Sequence, residues 1–174
     1  MINNYSATTK PVPIASPGAT LGTDWEQRVD FARLRTERVG KVKDALARSE
    51  IGALILFDMN NIRYVTSTHI GNWARDKLFR CCLLMRNQDP ILWDIGSAAR
   101  THQMFAPWND KRNWRAGISS WRGSIPEDVG VERGNARRLA GLLRDHGLDG
   151  EPVGVDVVEL PVLRALEALS LIHI

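Results

Sequence analysis

Ala53-Leu54-Ile55-Leu56-Phe57-Asp58-Met59-Asn60-Asn61-Ile62-Arg63-Tyr64 decides the fold of this chain. It opens as an unbroken run of five apolar residues and stops at an acid and two asparagines. A run this short, bounded by Gly52 before and polar residues after, predicts a strand buried on both faces. Such strands lie inside α/β sheets with helices packed above and below. The Asn60-Asn61 pair tolerates tight or left-handed backbone and predicts a corner at the end of the strand. α/β proteins place ligands at such corners.

Working outward, the chain alternates helical and strand patterns. Residues 1–23 are rich in Thr, Ser, Pro and Gly, which predicts an irregular tail, with the domain running over 24–174. Thr23-Asp24-Trp25-Glu26 has the spacing of a capping box and predicts a helix to about Ser49. Phe31, Leu34, Val42, Ala45 and Leu46 would form its apolar stripe, with Arg38 intruding on it. After the central strand, residues 69–77 read as a loop carrying His69, Trp73 and Arg75. Leu78–Met85 and Ile91–Ile95 read as two strands joined by the turn Asn87-Gln88-Asp89-Pro90. Ser97 is placed to cap a short helix to about Phe105.

Residues 106–130 show no period, although their tryptophans suggest packing and allow one strand near 114–121. A helix is predicted over 132–146, with Leu139, Ala140 and Leu143 inward and Gly147 at its end. Val153–Val158 is a further strand, and Pro161 suits the first turn of a last helix reaching about Leu169. The order predicts an α/β fold, a mixed sheet flanked by helices.

At 174 residues, 44% hydrophobic and 25% charged, the chain has the composition of one globular domain. No apolar run approaches the roughly 20 residues of a membrane span, and residues 1–23 lack the apolar core of a signal peptide. These readings predict a cytoplasmic protein with no membrane association. The net charge of +3 is spread along the chain. Arg112, Arg115 and Arg122 interleave with Trp108, Trp114 and Trp121, a pattern shared by nucleic-acid surfaces and by packed irregular segments. The packed segment is the reading adopted, with no nucleic acid as partner. The only cysteines, Cys81 and Cys82, are adjacent and on opposite faces of a strand, and read as buried free thiols.

Phe57-Asp58 followed by Asn61-Ile62-Arg63-Tyr64 resembles the signature of the creatinase/prolidase N-terminal domain. That domain precedes the pita-bread metallopeptidase domain in aminopeptidase P, prolidase, creatinase and dimethylsulfoniopropionate lyases. The resemblance covers most of residues 28–169. It implies a ribonuclease H-like α/β sheet, a homodimer formed through this domain, and a substrate pocket shared between subunits. The substrate would be a small zwitterion or a dipeptide. Two divalent metal ions are implied for the catalytic domain, held there by two aspartates, a histidine and two glutamates, so no cofactor is expected in this chain.

An Xaa-Pro peptidase-like hydrolase is the first activity the resemblance implies. Gly18 to Gly22, Phe57-Asp58, Trp93-Asp94 and Leu163 to Glu167 resemble the lyase branch instead, where the reaction is C–S elimination. A stand-alone α/β interaction module without catalysis is the alternative from another class. The apolar, uncapped end Leu171-Ile172-His173-Ile174 reads as a chain cut before a metal domain.

His69, His102, His146 and His173 have no ligand spacing between them, and a site from Asp94 and His102 is less expected than a capping or surface histidine. The glycines of a phosphate cradle are missing after Phe57, and Asp58 would repel an anion there. Ser119, Ser120 and Ser124 lack a nucleophile-elbow context.

Trp73, Arg75, Phe79 and Arg80 remain as substrate-pocket candidates, because a guanidinium forks a carboxylate and aromatic rings face a cation. Phe79-Arg80 also resembles an aromatic–arginine pair that creatinase-like enzymes supply from about this region, and Trp121-Arg122 a tryptophan–arginine step. The other reading makes Phe79 a core ring and Arg80 a surface partner. Asn61, Ile62, Arg63 and Tyr64 are read as a structural signature, with Asn61 and Arg63 bonding loop backbone.

Overall fold

The structure, a computed structural model, describes residues 29–70, 80–117 and 127–169. Its elements follow the chain as α1 (Phe31–Ala47), β1 (Ala53–Leu56), α2 (Met59–Thr66), β2 (Cys81–Met85), β3 (Ile91–Asp94), α3 (Gly96–Phe105), β4 (Trp114–Ala116), α4 (Val131–Asp145), β5 (Val153–Val155) and α5 (Leu160–Glu167). The five strands form one sheet in the order β4-β3-β2-β1-β5. β1–β2 and β2–β3 pair antiparallel, whereas β1–β5 and β3–β4 pair parallel. This is the mixed α/β sheet expected from the sequence. The apolar run is second from one edge, and the middle strand is the wholly buried β2.

Alternation along the strands divides the core. One face holds Ala53, Ile55, Cys81, Leu83, Met85 and Trp93 against Leu139 and Leu143 of α4 and Val162 and Leu166 of α5. The other holds Leu56, Cys82, Leu84 and Leu92 with Ile62, Val65, Leu46 and Trp114. Cys81 and Cys82 are free, buried and on opposite faces, as the two-residue period requires. Burial pushes both thiols far above their ordinary range.

Several local expectations are corrected. α1 begins at Phe31 behind the cap Asp30, whose side chain accepts from the Arg33 N–H. The expected capping box lies outside the described residues. Of the expected stripe only Leu46 is buried; Phe31 and Ala45 are exposed. α1 packs mainly on α2, and Leu46 is its one buried residue, so the stripe covers little. Arg38 turns its guanidinium over the Tyr64 ring, 5.4 Å from the centroid.

Asn60-Asn61 makes no left-handed corner, because both residues belong to the first turn of α2. The Asp58 carboxylate accepts from the N–H groups of Asn60 and Asn61 at 2.8 and 3.2 Å and starts the helix. The left-handed residue is Ser67 at the other end (φ 54°), which stops α2. Ser97 lies inside α3, whose cap position is Ile95 with no side-chain bond. α4 ends as expected: His146 is the cap and Gly147 follows at φ 71°. Pro161 lies in the first turn of α5.

Candidate functional site

The end of β1 is held by a carboxylate from β5's side. Asp156, one residue past β5, accepts from the N–H groups of Phe57 and Asp58 at 2.8 and 3.0 Å. It also accepts from the Asn61 side-chain amide at 3.1 Å and from the Val157 N–H. With Asp58 capping α2, the backbone donors of this corner are already taken by acids of the chain. The side-chain partner of Asn61 is thus a carboxylate and not the loop backbone expected from the sequence. Ile62 is fully buried. Arg63 and Tyr64 face outward and, with Arg38 and Asn60, line an open recess of about 330 Å³.

A second polar group lies beneath the surface at the far end of the hairpin. Arg80, immediately before β2, is 1% exposed, and Asp94, the last residue of β3, is 0% exposed. Arg80 Nε and Nη2 donate to the two Asp94 carboxylate oxygens at 2.9 and 3.0 Å. This is the forked geometry that only a guanidinium provides. The remaining Arg80 donors reach the carbonyl and hydroxyl of Thr68. His102 of α3 meets the same carboxylate through Nε2 at 2.9 Å, and its ring tilts against Trp114. Thr66 bonds the Thr68 hydroxyl and the Ile62 carbonyl, which ties the group back to α2. Every element that converges here is thus stitched to Asp94.

Of the pocket candidates, Trp73, Arg75 and Phe79 lie outside the described residues. Arg80 is a surface residue in neither sense considered above: its fork is engaged within the chain, by Asp94. The sequence carried the signal, because continuing the hairpin register Cys82↔Leu92, Cys81↔Trp93 by one step sets Arg80 opposite Asp94. Among the described residues, no group of three or more His, Cys, Asp and Glu side chains could hold a metal ion. Asp94 and His102 do meet, but the Arg80 cation spans both carboxylate oxygens where a metal would have to approach. The residues present therefore do not fit a divalent ion.

The described part of the tryptophan–arginine segment is packed at Trp114 and tethered at Trp108. Trp114 is buried and donates to the Ala106 carbonyl at 3.0 Å. Trp108 donates to the Thr66 carbonyl at 2.9 Å and carries Arg35 over its ring. Arg112 pairs with Asp110, and Arg115 lies over Trp93. Trp121 and Arg122 are outside the described residues. No described helix is long and apolar enough to cross a membrane.

Fold and site together define an α/β domain whose buried polar residues bond one another and the backbone. The chain belongs to the creatinase/prolidase N-terminal domain family, whose model matches residues 38–170. It is 32% identical over 143 residues to the dimethylsulfoniopropionate lyase DddP of Roseobacter denitrificans. It is 27% identical over 140 residues to the enzyme of the same name from Roseovarius nubinhibens. Both alignments cover 80% of this chain and 31% of the relative, so the chain spans about a third of their length. Among solved structures it is similar to the N-terminal domain of cytoplasmic peptidase PepQ from Mycobacterium tuberculosis H37Rv. The TM-score is 0.51 at 21% identity, over 76% of this chain and 84% of that one, a likeness of fold.

Proposed function

We propose that this chain serves as the non-metal domain of a larger pita-bread metalloenzyme of the dimethylsulfoniopropionate lyase-like branch. One observation carries the reading. Two lyases align with four-fifths of this chain but with only 31% of their own length, and among the described residues no group of three or more His, Cys, Asp and Glu could hold a metal ion. The domain's work is to form a homodimer and to shape a substrate pocket. The two divalent metal ions belong to the catalytic domain. Trp73, Arg75 and Phe79 are the proposed pocket residues. A substrate of this branch is a zwitterion, whose carboxylate suits the fork of Arg75 and whose sulfonium suits aromatic faces. Arg80, whose fork is held by Asp94, touches no substrate in this reading.

A second reading, Xaa-Pro hydrolysis, is favoured by the prolidase members of the family that the chain matches. A fusion separates the two. The chain replaces the corresponding domain of the Roseobacter denitrificans lyase, and the purified, metal-loaded fusion is given dimethylsulfoniopropionate or an Xaa-Pro dipeptide. Release of dimethyl sulfide, lost roughly ten- to a hundredfold in kcat/KM on Arg75→Ala, is the expected result. A folded, dimeric fusion that liberates proline and no dimethyl sulfide overturns the lyase reading in favour of the peptidase.

A further inference from the structure

A half-open space among the described residues lies along α1, between Ala32 and Lys43. It has a volume of about 410 Å³, within the range of small-molecule sites. Arg35, Val39 and Gly40 of α1 form one wall, and Val65, Trp108 and Trp114 form the other. It exists because α1 leans on α2 and buries only Leu46 deeply. At Gly40 an added Cβ would meet nothing within 4 Å, so this wall is open space and not packed helix.

The polar groups of the space are unevenly matched. Lys43 is neutralised by Asp89 at 2.8 Å. Arg35 lies over the Trp108 ring at 4.4 Å, and the ring is fixed by its bond to the Thr66 carbonyl. Among the described residues Arg35 has no carboxylate partner, and its Nε is buried without an acceptor. A buried donor of a charged group left unmatched is costly, and a ligand oxygen is one way it is satisfied. The lining therefore carries one net positive charge, a flat indole and aliphatic walls.

We propose that this cavity binds a small monoanionic amphiphile: a carboxylate at Arg35 with an apolar body between Val39, Val65 and the tryptophans. The site is lined by residues of this chain alone and needs no catalytic domain. Octanoate is the probe, titrated into the full 174-residue chain and followed by amide NMR shifts and calorimetry. Saturable one-to-one binding is expected, with shifts centred on Gly40 and Val65. 1-Octanol, which keeps the body but not the charge, binds at least tenfold more weakly. Arg35→Gln weakens octanoate at least tenfold, and Gly40→Leu, which fills the space from the open wall, abolishes binding while the melting curve stays cooperative. Arg35→Gln keeps the test open if Gly40→Leu does not fold. The proposal is overturned if octanoate gives no saturable shift up to its solubility, if octanol binds equally well, or if Arg35→Gln binds like the parent.

Discussion

Arg80 grips Asp94 with two parallel hydrogen bonds of 2.9 and 3.0 Å, and neither side chain has appreciable contact with solvent. A buried ion pair of this kind adds little over an apolar pair of the same shape, but breaking it leaves one charge stranded. Arg80→Met therefore costs about 3–5 kcal/mol, read as a lowered midpoint in urea. Arg80→Met combined with Asp94→Leu recovers part of that loss, although His102 then loses its partner. If Arg80→Met alone unfolds at the parent's midpoint, the pair is not what holds the hairpin to Thr68.

Asp156 is a smaller version of the same device. Its carboxylate collects the N–H groups of Phe57 and Asp58 and the Asn61 amide, joining β1, α2 and β5 at one point. Asp156→Ala removes the carboxylate that accepts from three backbone N–H groups, those of Phe57, Asp58 and Val157, at a part-buried corner. The expected loss is about 1–3 kcal/mol, measured by denaturant unfolding. Asn61→Ala removes one bond of the set and costs about 1 kcal/mol. A larger effect at Asn61 than at Asp156 would show that the carboxylate is not the hub.

The strands, the hairpin and the two C-terminal helices were legible because burial imposes its period on them. Ile55, Leu83, Leu92, Leu139 and Leu166 lie where alternation or helical spacing puts them. The Asp58-Met59-Asn60-Asn61 segment was misread because Asp and Asn serve both turns and helix starts, and only the bonds from Asn60 and Asn61 to Asp58 decide between them. α1 was read as a core helix from its spacing, yet amphipathic spacing says nothing about how closely a helix approaches a sheet. Arg80, Asp94 and His102 come together through strand register and a helix return, which separate residue-by-residue readings do not combine. Their meeting also explains why an arginine that looks like a ligand contact belongs to the interior.

Cys81 and Cys82 give a test of the sheet that needs no mutation. Burial raises both thiols, and the neighbouring Arg80 charge only partly opposes this for Cys82. Neither thiol should react with iodoacetamide at pH 8–9 in the native chain, whereas both should react once urea unfolds it. Mass spectrometry counts the adducts. Alkylation of either cysteine in native protein at the unfolded rate would mean that β2 is not the closed middle strand.

Asp110 provides a pH readout at the surface. Its carboxylate accepts from the Arg112 side chain and from the Arg112 N–H, which together hold it down at about 2. A depressed acid contributes stability that is present above its ordinary value and lost as pH falls through the folded value. The carboxyl carbon of Asp110 should thus titrate near pH 2 by NMR, below the ordinary 3.8. Arg112→Ala should bring the midpoint most of the way back. An unchanged midpoint in that variant would remove Arg112 as the cause.

Gly40 and Gly52 are predicted to respond to alanine in opposite directions. Gly40 is inside α1, and a Cβ there meets nothing within 4 Å. Glycine in a helix interior is worse than alanine because it gives up more backbone freedom on folding, so Gly40→Ala should stabilise by about 0.5–1 kcal/mol. Gly52 precedes β1 and has its backbone paired on both sides, donating to Pro152 and accepting from Arg86. A Cβ there would lie 2.8 Å from the Glu151 Cβ and 2.5 Å from its Oε2, and the same Glu151 pairs with Arg86. The Glu151 carboxylate can swing away, but its Cβ moves only with the backbone that pairs beside β1. Gly52→Ala should therefore destabilise by about 1–3 kcal/mol. Thermal melts of the two variants beside the parent decide it. A Gly52→Ala melt at or above the parent's would show that the Glu151 segment yields without cost.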